Sequence, residues 1–550
     1  MQGFALGQKA LVEKVEKLER ASAANSGNNQ EGVSNNGLGD SRDDGDPRKK
    51  ATNAGVVINN GGGFGFAAGG GPGPAVNNVK DNMFPPFFGA EEDREEDQFS
   101  VLNEQFGQYG VQPPNKEIQV LADKIRALES YATPGIIQFY NYDPNMKGKD
   151  PVDVIRKALP KTLVFYYPFA GRLREGAGRK LMVDCTGEGV LFIEADANVS
   201  LKDFGDNLLP PFPFLDEVLY DVPGSSNMLN APLMLIQVTR LKCGGFIFAI
   251  RLNHTMSDGF GIVQFMNALA EICRGMNEPS ISPVWHRELL SARNPPRVTC
   301  YHPELEQAPN NKGAVISLDN MVPRTFFFGP NEVASIRSLL PTNLRQQYSK
   351  YDIVTAFLWR CRTIVLQLDS NERVRLNILV SGRSKFVSLE LPNGYYGNTF
   401  AIPAIVTTAS KIVENTLGYM YALDLVKNAK TKVTREYMHS LADLIVTKGR
   451  HLFTLTEFML LVSDIRRLGF RDVDFGWGKA VYGGPAKGGP VIDSPYPVIF
   501  SFYIPFANVK GEEGLVIPLC FPTQAMERMV KELDNMLKVK SYQSAKGDTN

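Results

Sequence analysis

The residues best equipped for chemistry lie in one short stretch, Asn253-His254-Thr255-Met256-Ser257-Asp258-Gly259. An imidazole changes protonation near neutrality, so His254 can take a proton from an alcohol and return it to a leaving group. Asp258, four residues on, would share a helical face with it, although the histidine is placed before the helix proper. The preceding run Gly245-Phe246-Ile247-Phe248-Ala249-Ile250 reads as a buried strand. After the motif, Phe260, Val263, Phe265, Met266, Leu269 and Ile272 recur at mostly helical spacing. The histidine is therefore set where a strand gives way to a helix, held rigidly yet able to face a cleft. Gly259 and Gly261 leave room for close approach of a ligand or another segment. A bland reading stands beside this one: a histidine at a strand end is equally a satisfied core residue.

A second pentad far downstream, Asp474-Phe475-Gly476-Trp477-Gly478, shifts the balance, as do Tyr167-Pro168-Phe169-Ala170-Gly171-Arg172 and Tyr396-Gly397-Asn398. In this order the motifs resemble the BAHD family of plant acyl-CoA-dependent acyltransferases, nearest its alcohol acyltransferase branch, such as benzyl alcohol O-benzoyltransferases. The similarity runs over residues 133–540. It implies an α/β protein: two chloramphenicol-acetyltransferase-like α/β domains with a channel between them and His254 near its centre. It also implies transfer of an acyl group from acyl-CoA to the hydroxyl of a small alcohol, benzyl or aliphatic, forming an ester. Acyl-CoA is then a co-substrate, and no cofactor or metal is permanently bound. In the resembling family the aspartate turns away from the channel to pair with an arginine, which makes Asp258 a structural brace and Arg383 its partner. The family's Asn-x-Arg reads Ser381-Gly382-Arg383 here. Asp474, Gly476 and Gly478 look like a structural turn, while Trp477 offers an indole N–H to an oxyanion. Tyr396, Asn398 and Thr399 are expected to contact substrate or CoA.

Moving an acyl group from a thioester to an alcohol needs a base for the hydroxyl, donors for the oxyanion and a proton for the thiolate. One imidazole can serve the first and last tasks in turn, so no nucleophilic Ser or Cys is required. The chain has no Gly-x-Ser-x-Gly elbow, and no cysteine adjoins His254.

The elements that must position these residues are legible in outline. Strands are expected over 180–184, 190–194, 233–241 and 246–252, then a helix over 261–274. Residues 275–313, rich in Pro and charge, read as a crossover. Beyond it come strands at 314–318 and 325–328, helices near 330–340 and 350–366, a strand over 376–380, and a last helix over 524–537. This divides the chain into an extension over 1–132, a first domain over 133–300 and a second over 301–550.

The extension differs from the rest. Helical stripes are expected near 5–19 and over 115–131, where Ile118, Leu121, Ala122, Ile125 and Leu128 align. Residues 21–78, dominated by Gly, Asn, Ser and Asp, cannot bury enough apolar surface to order. Their glycines complete neither a P-loop nor a dinucleotide fingerprint. No equivalent of the family's opening segment, which supplies a first strand and part of the acceptor side, stands upstream of Tyr131. Two function classes follow: an acyltransferase, or a catalytically impaired binding or scaffold relative, the product of a fusion or a misjoined gene.

Composition narrows the partners. With 59 basic and 59 acidic residues in 550, the chain offers no overall charge to nucleic acid or an anionic membrane. Six cysteines without paired spacing suit reduced thiols in the cytosol. A cytoplasmic monomer is the expectation.

Overall fold

The computed structural model describes residues 135–537, apart from 177–179, 206–207, 223–224, 226–228, 307–319, 384–386, 388, 449–458, 492–497 and 509, together with the strands Val76–Lys80, Ile118–Val120 and Ser541–Tyr542. All of these fall in one compact unit, Val56–Asn550. The helix expected near 5–19, most of the 21–78 stretch and the strand expected over 314–318 lie outside the described residues.

Short apolar runs rich in aromatic and β-branched residues become strands. Phe246–Leu252 sits inside a six-stranded sheet, ordered Val76–Lys80, Leu191–Ala197, Met234–Leu241, Phe246–Leu252, Ile136–Tyr140, Tyr482–Pro485. It is buried on both faces, which is why it reads as an unbroken apolar run rather than an alternation. It forms a hairpin with Met234–Leu241, Arg240 opposite Phe246. The turn passes through Gly244 at φ +81°, a conformation that disfavours any side chain. Helices Pro151–Phe165 and Gly259–Cys273 pack on each other, and the first also on Met234–Leu241. Their buried residues, Ile155, Leu159 and Leu163 on one and Val263, Met266 and Ala270 on the other, keep helical spacing. Asp150 caps the first helix at Val152 N, with Pro151 preset at its first turn.

The second sheet runs Ala404–Thr408, Arg373–Ile378, Met459–Asp464, Val498–Ala507, Glu513–Pro522, Met321–Phe328, Ser541–Tyr542, with Gly489–Val491 beside Val498–Ala507. Helix Lys350–Leu366, buried along most of its length, packs against Asn415–Lys432 and Thr523–Leu537. Two large apolar cores result, one around each sheet.

Three expectations differ from the structure. The strip Ile118–Val120 is a strand paired with Leu181–Asp184, not part of a helix over 115–131. Its Ile-Gln-Val order suits a strand, and an open sheet edge competes with the helical pattern. Similarly, Val76–Lys80 pairs with Leu191–Ala197, so the end of the stretch read as unable to order carries an edge strand. A division at 300 is also not clean: Tyr482–Pro485, far into the second half, completes the first sheet against Ile136–Tyr140.

Candidate active site

His254 stands two residues beyond the end of Phe246–Leu252, in a turn that leads into helix Gly259–Cys273. The turn is tied locally by Asn253, whose Oδ1 accepts from Thr255 N at 3.1 Å and Thr255 Oγ1 at 2.7 Å. It is tied further from the crossover and from the second half. Asn398 Nδ2 donates to the carbonyls of His254 at 2.6 Å and Thr255 at 3.2 Å. Arg287 Nη2 donates to the carbonyl of Met256 at 2.8 Å, and Ser257 Oγ donates to Tyr396 O at 2.7 Å. Three consecutive carbonyls of a loop that cannot pair them itself are thus each claimed by a side chain.

Asp258 is the N-cap of the following helix. Its Oδ1 accepts from Phe260 N and Gly261 N, both at 3.1 Å. Its Oδ2 accepts from Thr399 N at 2.9 Å and from Arg383 Nη1 at 2.5 Å. Arg383 goes on to the carbonyls of Gly397 at 2.7 Å and Tyr395 at 3.2 Å, and its guanidinium lies 5.2 Å from the Phe260 ring centre. The carboxylate therefore faces the second half and the helix end, with no hydrogen bond to His254. Gly261 is obligatory here on packing grounds: a Cβ would sit 2.0 Å from Tyr396 O and 2.1 Å from Ser257 Oγ.

His254 itself is half-buried. Its Nδ1 is buried beside its own backbone and the Asn398 side chain, with no partner in hydrogen-bond geometry. Burial pushes the imidazole below its ordinary pKa, and the Asp258 charge opposes that shift. The Phe400 ring stands edge-on, 6.0 Å from the imidazole centre. Phe400 and Phe500 pack on Ile402, Met459 and Leu461, an apolar patch beside the histidine.

The remaining expected site residues fall elsewhere. Trp477 is buried against Phe246, ring centres 5.3 Å apart. Phe246 opens the strand whose other end leads to His254, six residue steps or about 20 Å away. The structure thus sets the Trp477 indole against the end of this strand farther from the histidine. Asp474 makes the tight turn expected of it: its Oδ1 accepts from Gly476 N at 2.7 Å and Gly478 N at 2.9 Å, with both glycines at positive φ. Tyr396 and Thr399 are buried, as is Asn398, and the polar groups described above bind the His254 loop or the helix cap that follows it. In the structure their polar groups are thus engaged with the His254 loop and the Asp258 cap.

Sequence reasoning missed Arg287, Phe400 and a second histidine cluster. Ser440 Oγ is 2.9 Å from His302 Nε2, and His302 Nδ1 is 3.1 Å from Glu304 Oε1, the order of a nucleophilic triad. All three are buried, and Ser440 Oγ also accepts the backbone N–H of Thr299 and Cys300. The cluster clamps the crossover to helix Arg435–Lys448 and gives no substrate access.

Comparison with known proteins accords with this geometry. The Transferase family model matches residues 126–536, and the chain belongs to that family, the BAHD acyltransferases. It is an acyl-CoA-dependent O-acyltransferase. It is 61% identical over 403 residues to benzyl alcohol O-benzoyltransferase of Petunia hybrida, covering 73% of this chain and 86% of the relative. To 13-hydroxylupanine O-tigloyltransferase of Lupinus albus it is 51% identical over 434 residues, 78% of this chain and 92% of the relative. The fold matches the crystal structure of vinorine synthase with a TM-score of 0.56 at 21% identity, covering 78% of this chain and 95% of that one. It also matches F. graminearum TRI101 complexed with ethyl coenzyme A, TM-score 0.58 at 14% identity, over 77% and 99% of the two chains. Among the described residues no helix is long and apolar enough to cross a membrane.

Proposed function

We propose that this O-acyltransferase esterifies a small aromatic alcohol of the benzyl type, with His254 as general base and no covalent acyl-enzyme. The observation that carries the reading is the pose of His254: a half-buried imidazole on a loop whose His254, Thr255 and Met256 carbonyls are each held by a side chain, beside an apolar aromatic wall. With a proton on the buried Nδ1, Nε2 is left to accept the alcohol proton. The alcohol oxygen attacks the thioester carbonyl, and the imidazolium then returns the proton to the departing CoA thiolate. The lowered pKa keeps the imidazole neutral at neutral pH, with its acceptor nitrogen free to take a proton. Asp258 takes no proton in this scheme; its charge is engaged by Arg383 and the helix end.

The aromatic character of the acceptor rests on Phe400 and Phe500, and on the name of the petunia relative. An edge-to-face partner discriminates an aromatic from an aliphatic alcohol by about 0.5–1.5 kcal/mol beyond area alone. None of the six cysteines is joined in a disulfide, which supports the cytosol as the working compartment. We take the acting form to be a monomer without nucleic-acid or membrane partners. The test is turnover of benzoyl-CoA with benzyl alcohol against 1-hexanol. Preference for benzyl alcohol is expected; equal turnover of both would remove the aromatic assignment, and no ester from either would remove the reading.

A further inference from the structure

We propose that Arg287 is a positioning residue for His254: its fully buried guanidinium fixes the catalytic loop through the Met256 carbonyl and so sets the pose of the imidazole. The proposal rests on the reading of His254 as the base.

Arg287 comes from the crossover, after Val284-Trp285-His286, as the first residue of the short 3-10 turn Arg287–Leu290. It has no solvent exposure and, among the described residues, no carboxylate partner. A buried cation without a counter-charge is costly, so its seat must supply other compensation. The seat is aromatic. The guanidinium carbon lies 4.2 Å from the Trp285 ring centre, 4.7 Å from Tyr396 and 5.4 Å from Tyr395. Such faces attract a guanidinium most strongly when water is excluded. One donor, Nη2, is committed to Met256 O at 2.8 Å, while Nε and Nη1 have no acceptor in hydrogen-bond geometry.

The backbone is shaped to admit this group. A Cβ on Gly397 would stand 1.4 Å from Arg287 Nη1 and 2.6 Å from the Tyr395 hydroxyl. Only glycine therefore lets the segment Tyr395–Thr399 close over the guanidinium. That same segment carries Tyr396 O, Asn398 and Thr399 N, which hold Ser257, His254, Thr255 and Asp258. Arg287 is thus wedged between the loop that bears the histidine and the segment that braces it. A residue serving only to pin the crossover would not need to hold the Met256 carbonyl, two residues from the base.

The test compares the full chain with Arg287→Lys and Arg287→Gln. Lys keeps the charge and one donor; Gln keeps a donor and loses the charge. For each, kcat and KM are measured with benzoyl-CoA and benzyl alcohol across pH, beside the unfolding midpoint. The expected result is kcat lower by about tenfold in Gln and about threefold in Lys, with KM for benzoyl-CoA within about twofold, the pattern of lost pose rather than lost binding. The acid limb of kcat should move upward in the same order, because a loosened loop wets the ring and returns its pKa toward the ordinary value. A fall in midpoint with kcat per folded enzyme and the acid limb both unchanged would overturn the proposal. Should the Gln variant fail to fold, the Lys variant decides on the same two readings. His254→Ala in the same assay separates the two ideas. Turnover retained there ends the general-base reading, whereas an inactive His254→Ala beside unaltered Arg287 variants ends only this one.

Discussion

Removing either member of the Asp258–Arg383 pair should be asymmetric, and the asymmetry follows from what each partner retains. Asp258→Ala deletes the helix cap, worth about 1 kcal/mol, and leaves a largely buried guanidinium without a counter-charge, which costs about 3–5 kcal/mol. Arg383 keeps only the Tyr395 and Gly397 carbonyls and the Phe260 ring. In Arg383→Ala the carboxylate still accepts three backbone N–H groups, from Phe260, Gly261 and Thr399, at a helix N-terminus. Its loss should therefore be smaller, about 2–3 kcal/mol. The two changes remove one shared contact, so the double variant should fall short of additivity by about 2 kcal/mol. Urea unfolding followed by tryptophan fluorescence gives the cycle, read from midpoints at constant slope. A coupling below about 0.5 kcal/mol, or Arg383→Ala costing more than Asp258→Ala, would refute the brace.

Burial holds the His254 pKa below 6.5, so the acid limb of kcat/KM should lie below pH 6.5. The same shift makes the unfolded chain bind the extra proton first as pH falls through 6.5, so this histidine's contribution to stability should decline below that pH; proton uptake on unfolding measured by calorimetry in two buffers checks the sign. Trp477→Ala should lower stability by about 3–5 kcal/mol, while Trp477→Phe should leave kcat within about threefold, since the indole packs on Phe246 far from the histidine; a hundredfold loss in a folded Trp477→Phe enzyme would restore the oxyanion role. Phe400→Leu should cut the preference for benzyl alcohol over 1-hexanol by about threefold to tenfold in competition assays, the value of one aromatic contact.

What the sequence disclosed and what it withheld divide along physical lines. Phe246–Leu252 was readable to the residue because a strand buried on both faces is an unbroken apolar run, and the following helix because its buried positions keep a 3.6 period. The ion pair of Asp258 with Arg383 came from the family resemblance, not from spacing; nothing local links residues so far apart. The place of Trp477 is hidden for a related reason. An indole N–H advertises chemistry by type, but its distance from His254 depends on which end of a strand it packs against. Nothing local shows that Asn398 and Thr399 face the His254 loop and the Asp258 cap; only the fold brings these segments together. Arg287 went unnoticed inside a stretch read as a crossover, where a lone arginine is ordinarily solvated. The Trp285-x-Arg287 pairing was a signal, though a weak one without the aromatic residues that the second half brings to it. The strand Ile118–Val120 was hidden by a competing helical stripe, and sheet pairing with Leu181–Asp184 overrode it.

His254→Ala, measured for midpoint, benzoyl-CoA affinity and turnover on one preparation, tests the general base most directly. The predicted result is a catalytic rate lower by roughly a hundredfold or more. Benzoyl-CoA affinity should hold within about twofold, because the imidazole acts on the acceptor hydroxyl. The midpoint should be little changed, since a half-buried ring with an unpartnered Nδ1 carries few contacts to lose. A well-folded His254→Ala enzyme that still forms benzyl benzoate near the parent rate would contradict the central claim.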